Sequence, residues 1–106
     1  MRRKLNDTNT TERERILADA KRCVCGERQQ DYGTPEDNFK SIANLWNSYL
    51  GKEEISAVDV AMMMALLKIA RIKTGGGSGD SFVDLAGYAA CGGELWKLRK
   101  ELNNGN

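Results

Sequence analysis

Apolar residues recur at three- and four-residue spacing in four stretches of the chain, and no segment alternates with a two-residue period over a convincing length. The first stretch carries Ile16, Leu17, Ala20, Cys23 and Val24 on one stripe, opposite a face of Arg, Glu and Lys. Thr11 and Glu14 precede it with capping-box spacing, so a helix is expected from about residue 11 to about residue 27. The second stretch carries Phe39, Ile42, Ala43, Trp46 and Leu50 and ends near Gly51. Thr34 fits its N-cap, Pro35 its first helical position, and Glu36 and Asp37 its dipole-favoured first turn.

A second capping box, Ser56 with Asp59, opens the third stretch, expected over residues 57 to about 73. Val58, Val60, Met62, Met63, Met64, Leu66, Leu67 and Ile69 make it apolar almost all round. A helix of that kind belongs in the middle of a bundle or in a subunit interface, with the methionines as core filling. Asp80 is expected to cap the fourth helix, which runs to about residue 102. It carries two stripes: Phe82, Leu85, Ala86, Ala89, Gly93 and Trp96, and Tyr88, Cys91, Leu95, Leu98 and Leu102. Two stripes call for contact on two sides. Gly87, Gly92 and Gly93 would each weaken a surface helix by ~1 kcal/mol, so their use is to let another backbone or a ligand approach closely. The pattern predicts an all-α fold of four helices, a single domain over residues 11–103 preceded by a loose polar, basic tail over residues 1–10.

Composition narrows the possibilities. A chain of 106 residues buries only ~60–65% of its unfolded surface, so helix packing or self-association is expected to supply part of the stability. A net charge of +1 excludes extended nucleic acid as the expected partner, though not a local basic pocket. The charged N-terminus gives no signal peptide, and no apolar run reaches the ~20 residues of a membrane span. A cytoplasmic protein with free thiols at Cys23, Cys25 and Cys91 is expected. The chain has no histidine, and with no fourth ligand for the cysteines a zinc site is set aside.

Candidate chemistry is carboxylate and cation. Asp80 and Asp84 share one helix face, where like charges repel unless a cation such as magnesium or manganese lies between them; helix-start roles are the simpler alternative. Glu36 and Asp37 have the same helix-start explanation, whereas Asp31 precedes the turn and supports no helix start. Tyr32 beside Gly33 could stack on a base or ribose, or plug the bundle end. Lys68 and Arg71 could meet phosphates or pair with Asp80 and Asp84, and Arg28 is a further phosphate candidate. The Gly-rich run over residues 74–79 is a hinge or a phosphate loop, although no Gly-Lys-Ser/Thr follows it. No nucleophilic triad can be assembled. Metal-assisted attack of water on a phosphoryl group, or plain nucleotide binding, remains.

The blocks Arg28-x-x-Asp31-Tyr32-Gly33-x-Pro35-Glu36-Asp37-Asn38-Phe39, Asp59-Val-Ala-Met-Met-Met, Lys68-Ile-Ala-Arg71 and Asp80-Ser-Phe-Val-Asp84-Leu-Ala-Gly87-Tyr88 together resemble an uncharacterised phage and prophage protein family. That family is distantly similar to the MazG-type all-α nucleotide pyrophosphohydrolases. The resemblance implies a MazG-like four-helix bundle forming a homo-oligomer, with sites between subunits, in the cytoplasm of an infected bacterial host. It further implies magnesium or manganese and cleavage of nucleoside triphosphates to monophosphate and pyrophosphate. On this reading Asp31 and Glu36 are catalytic, Glu36, Asp80 and Asp84 hold metal, and Arg28, Tyr32, Lys68, Arg71 and Tyr88 bind the nucleotide. The Glu-x-x-Glu and Glu-x-x-Asp metal motifs of MazG-type enzymes do not occur in this sequence. Their absence favours the alternative, a non-catalytic sponge for cyclic or modified nucleotide signals of host antiphage immunity.

Overall fold

A computed structural model describes residues 10–26, 33–75 and 79–104, the last without its side chain. The loose tail expected over residues 1–10 lies outside them but for Thr10. The described residues form four helices and no strand: α1 (Glu12–Cys25), α2 (Pro35–Leu50), α3 (Ala57–Thr74) and α4 (Asp80–Asn104). The all-α reading therefore holds.

Local chemistry starts three of the helices where the sequence places them. Thr11 Oγ1 accepts the Glu14 N–H at 3.2 Å while Glu14 Oε1 accepts the Thr11 N–H at 2.8 Å. Ser56 and Asp59 repeat this reciprocal pair at 3.1 and 2.9 Å, and Thr34 accepts the Asp37 N–H at 3.2 Å ahead of Pro35. Each cap satisfies amides that the first helical turn leaves unbonded. The fourth start differs from expectation. Asp80 is the first helical residue and not the cap, because the Phe82 N–H already donates to the Gly79 carbonyl at 3.3 Å. The side chain of Asn47 ties the α2–α3 connection, donating to the Ile55 carbonyl at 2.8 Å and accepting the Ile55 N–H at 2.9 Å.

The core gathers Phe39 and Ala43 from α2, Val60 and Ala61 from α3, and Cys91 and Leu95 from α4. Val24 of α1 packs against it. Fully burying a side chain such as Val60 contributes roughly 1.5–3 kcal/mol. The seam between α3 and α4 is the most extensive contact, and α1 lies against α4. At two of the three α4 glycines another helix approaches closely, though through side-chain atoms and not the backbone or ligand expected. A Cβ at Gly87 would lie 3.2 Å from Val24 Cγ1, and one at Gly92 would lie 2.5 Å from Met62 Cε and 3.2 Å from Ala61 Cβ. A Cβ at Gly93 would meet nothing within 4 Å.

The expected central position of α3 is not met within this chain. Val60, Ala61 and Ala65 are buried, but Met62, Met63, Leu66, Leu67 and Ile69 are 41–63% exposed. On α4, Cys91 and Leu95 of the second stripe are buried, while Phe82 and Trp96 of the first are half exposed. The two remaining helices cannot surround two helices that are each apolar on more than one side. The physical consequence is an uncovered apolar face on α3 and α4.

Candidate functional site

A cleft of about 530 Å³ lies where all four helices meet. Cys23 and Val24 of α1, Asn38, Phe39 and Ile42 of α2, Met64 and Lys68 of α3, and Asp84, Tyr88 and Cys91 of α4 line it, with Gly33 and Pro35 at the start of α2. The helical period explains the set. Positions 64 and 68 on α3, and 84, 88 and 91 on α4, fall on the inward sides of their helices.

One wall is aromatic: the Phe39 and Tyr88 rings stand 6.1 Å apart between centroids, tilted by 44°. The polar contribution is the pair Lys68 Nζ to Asp84 Oδ2 at 3.0 Å, across the α3–α4 seam. The Lys68 side chain is 19% exposed and that of Asp84 37%, so the ammonium is the more sheltered partner. Cys91, in the same lining, is buried. Burial holds its thiol above the usual cysteine value, with the charges of Glu94 and Cys25 acting in the same direction.

Beside the cleft, a second, slightly more open recess is lined by Asp19, Arg22, Cys23, Gly26, Asp80, Val83 and Asp84. Asp19 is committed to ion pairs with Arg15, at 2.7 Å, and with Arg22. Asp80 contributes to the field at Arg15, whose pKa is raised chiefly by its hydrogen bond to Glu12. Cys23, Val83 and Asp84 line both the cleft and the acidic recess, and Asp84 is the carboxylate they share.

The structure gathers some of the sequence candidates and leaves others apart. Lys68, Asp84 and Tyr88 line one cleft, and Asp80 lines the neighbouring recess. Glu36 is exposed in the first turn of α2 and lines neither, although Pro35 and Asn38 on either side line the cleft. Arg71 is exposed on α3 and lines neither cavity. Arg28, Asp31 and Tyr32 lie outside the described residues, as do residues 76–78 of the Gly-rich run. Among the described residues, no three Asp, Glu, Cys or His side chains are placed to hold one metal ion. Magnesium or manganese thus has no preformed donor set there. Phe39, Cys23 and Met64 were not site candidates on sequence grounds; their helical spacing reads equally as core, and only their shared cavity with Lys68 distinguishes them.

All of the described cleft residues fall between positions 15 and 96, the span matched by the model of a domain of unknown function, DUF6378. The chain belongs to the DUF6378 family. This chain is 55% identical over 78 residues to the Gene 55 protein of Mycobacterium phage D29, covering 74% of this chain and 51% of that protein. It is 47% identical over 74 residues to the Gene 55 protein of Mycobacterium phage L5, covering 70% of this chain and 47% of that protein. The chain spans about half the length of these phage relatives. No solved structure matches it. Among the described residues, no helix of this DUF6378 domain is long and apolar enough to cross a membrane.

Proposed function

We propose that this DUF6378 protein binds a nucleotide, cyclic or linear, in the four-helix cleft, as a phage-encoded, MazG-like homo-oligomer acting in the host cytoplasm. The observation that supports this reading is the sheltered Lys68 ammonium set beside the Phe39–Tyr88 wall in a cavity of about 530 Å³. That volume suits a small organic ligand, since such sites run ~300–1,000 Å³ and are largely apolar with few polar groups. The ammonium would meet a phosphate and the rings would take the base or sugar. Asp84 is the competitor: an anion reaching Lys68 must displace or share it.

Calorimetry with linear and cyclic nucleotides, with and without magnesium, tests the reading. Lys68→Ala is expected to weaken binding roughly 10- to 100-fold, the ~1.5–3 kcal/mol of a charge-assisted hydrogen bond. Asp84→Asn is expected to preserve or tighten binding, because the ammonium loses its internal partner. Unchanged affinity in Lys68→Ala, with the helical circular dichroism intact, would refute the assignment of the cleft.

Phosphoanhydride hydrolysis is the second reading, favoured by Asp80 and Asp84 lining one recess next to the same ammonium. The described residues do not make a ready metal site. Release of pyrophosphate from nucleoside triphosphates with magnesium or manganese, abolished by Asp84→Asn, would establish it. In the binding reading, the same variant leaves the ligand bound and intact. Mass spectrometry of nucleotide retained through native purification would identify the ligand in either case.

A further inference from the structure

The outer face of α3 has a charge pattern that its apolar surface alone does not explain. At heptad spacing it carries Asp59, Met62, Leu66, Ile69 and Lys73, all exposed. Met63, Leu67 and Ala70 widen the stripe and are exposed as well. The charged residues between Asp59 and Lys73 are Lys68, turned inward to Asp84, and Arg71, off the stripe on the helical wheel. A single acid thus closes one end of an apolar ridge and a single base closes the other, ~21 Å apart along the axis at ~1.5 Å per residue.

That arrangement is self-complementary in one sense only. About Leu66 as a midpoint, Asp59 and Lys73 are each seven residues away. A second copy of α3 laid antiparallel, on a two-fold axis through Leu66, sets Leu66 against Leu66, Met62 near Ile69, and Asp59 beside Lys73 twice over. A parallel copy would set Asp59 against Asp59 and Lys73 against Lys73, which is repulsive at both ends.

The size of the face agrees. The five large apolar side chains exposed on α3 present on the order of 500 Å², already at the upper end of what a monomer leaves in one patch. Met62 sits over Gly92 at the seam and joins this face to α4, where Phe82 and Trp96 are half exposed. Together they approach the ~800 Å² per partner of a standard interface.

We propose that the outer face of α3 is a self-association surface on which a second copy of this chain packs its own α3 antiparallel, with Leu66 on the two-fold axis and Asp59 paired to Lys73 of the second copy. This deepens the self-association in the functional reading above and does not depend on the cleft's ligand.

The test uses the whole chain in sedimentation equilibrium. The wild type is expected to be dimeric, or a multiple of dimers, at tens of micromolar. Leu66→Glu is expected to separate the α3 contact while keeping the helical circular dichroism, because Leu66 is 63% exposed and supports no core contact. Lys73→Asp is expected to weaken dimerisation roughly 3- to 10-fold at low salt, and that loss to shrink as added salt screens the new repulsion it creates at Asp59. In a Cys25→Ser background, Leu66→Cys should cross-link on mild oxidation, and Leu45→Cys on exposed α2 should not. A monomeric wild type would overturn the proposal and assign the face to another occupant. Association that survives Leu66→Glu, or no cross-link through residue 66, would overturn it too. Nucleotide binding by a monomer would overturn the interface alone, whereas a dimer that binds no nucleotide would refute only the cleft.

Discussion

Gly92 and Gly93 are neighbours on α4, and their replacement by alanine should shift stability in opposite directions. Each replacement removes a glycine from a helix interior, which by itself favours the folded state by ~1 kcal/mol. At Gly93 the new Cβ meets nothing within 4 Å, so the whole gain should be realised. At Gly92 the new Cβ would lie 2.5 Å from Met62 Cε and 3.2 Å from Ala61 Cβ. The Met62 terminus is flexible and 41% exposed, so it can swing away. Ala61 is completely buried and cannot, so the α3–α4 seam must open by a few tenths of an ångström. Overpacking of this kind costs ~1–3 kcal/mol, more than the propensity gain.

The expected result is Gly93→Ala up by about 4–8 °C in Tm and Gly92→Ala down by a similar amount, using the ~1 kcal/mol equivalence for a domain of this size. Thermal melts followed by circular dichroism would be run in the wild-type and Leu66→Glu backgrounds, so that association is held apart from folding. A fall in Tm for Gly93→Ala in both backgrounds would refute the reasoning, because it would mean that atoms of the same chain lie against that position. A rise for Gly92→Ala equal to that of Gly93→Ala would refute the close seam.

Other consequences follow from the caps and the buried thiol. Thr11→Ala should destabilise α1 by about 1 kcal/mol, read as an earlier loss of helix in urea, since it removes the hydroxyl half of the capping box. The other half is acid-sensitive: hydrogen bonding from Thr11 holds the Glu14 carboxyl below its usual 4.5, so the contribution is present above that value and lost as pH falls through the depressed folded value. Glu14→Gln should flatten this part of the acid limb of a stability–pH curve. For Cys91 the sign reverses: burial raises its pKa above 9.0, so its contribution is full below pH 9 and lost as pH climbs through the raised value. Cys91→Ala should flatten the alkaline limb, and in the wild type exposed Cys25 should react with a thiol reagent well before Cys91.

Helix starts were the most legible part of the fold, because Thr11, Thr34 and Ser56 each declare themselves through side-chain chemistry within three residues. The fourth start was less so, since Gly79 supplies a backbone carbonyl and leaves Asp80 inside the helix. The apolar stripes identified which faces of α4 avoid water, but they could not say which stripe this chain covers and which it leaves open. That decision is tertiary: Gly92 meets Met62 while Gly93 meets nothing, and no local pattern separates two adjacent glycines. The candidate site was legible in part. Pairing with Asp80 and Asp84 is one of two roles the sequence leaves open for Lys68, and spacing alone does not choose Asp84 over Asp80. Nor could it separate Glu36 from its cleft-lining neighbours Pro35 and Asn38, because a first-turn acid serves a helix start wherever its side chain points.

The composition of α3 becomes intelligible when its two sides are considered together. Lys68 is nearly half a turn around the helix from Leu66, so the side that carries the cleft ammonium is nearly opposite the side that carries the apolar ridge. A helix serving only a core would need one apolar stripe, and a helix serving only a site would present polar residues to solvent. Residues 60–70 of α3 do neither: Lys68 is the one charge and points inward, and the outward positions are apolar. Partner contact on the outer side would therefore hold α3 rigid without touching Lys68, Met64 or the Asp84 pair. Such rigidity matters to a cleft that closes one ion pair across the α3–α4 seam, because a shift of α3 by an ångström would lengthen the 3.0 Å contact and alter how readily an incoming anion replaces it. Substitutions on the ridge should thus change association first and affinity only through the position of α3, and substitutions at Lys68 should do the reverse.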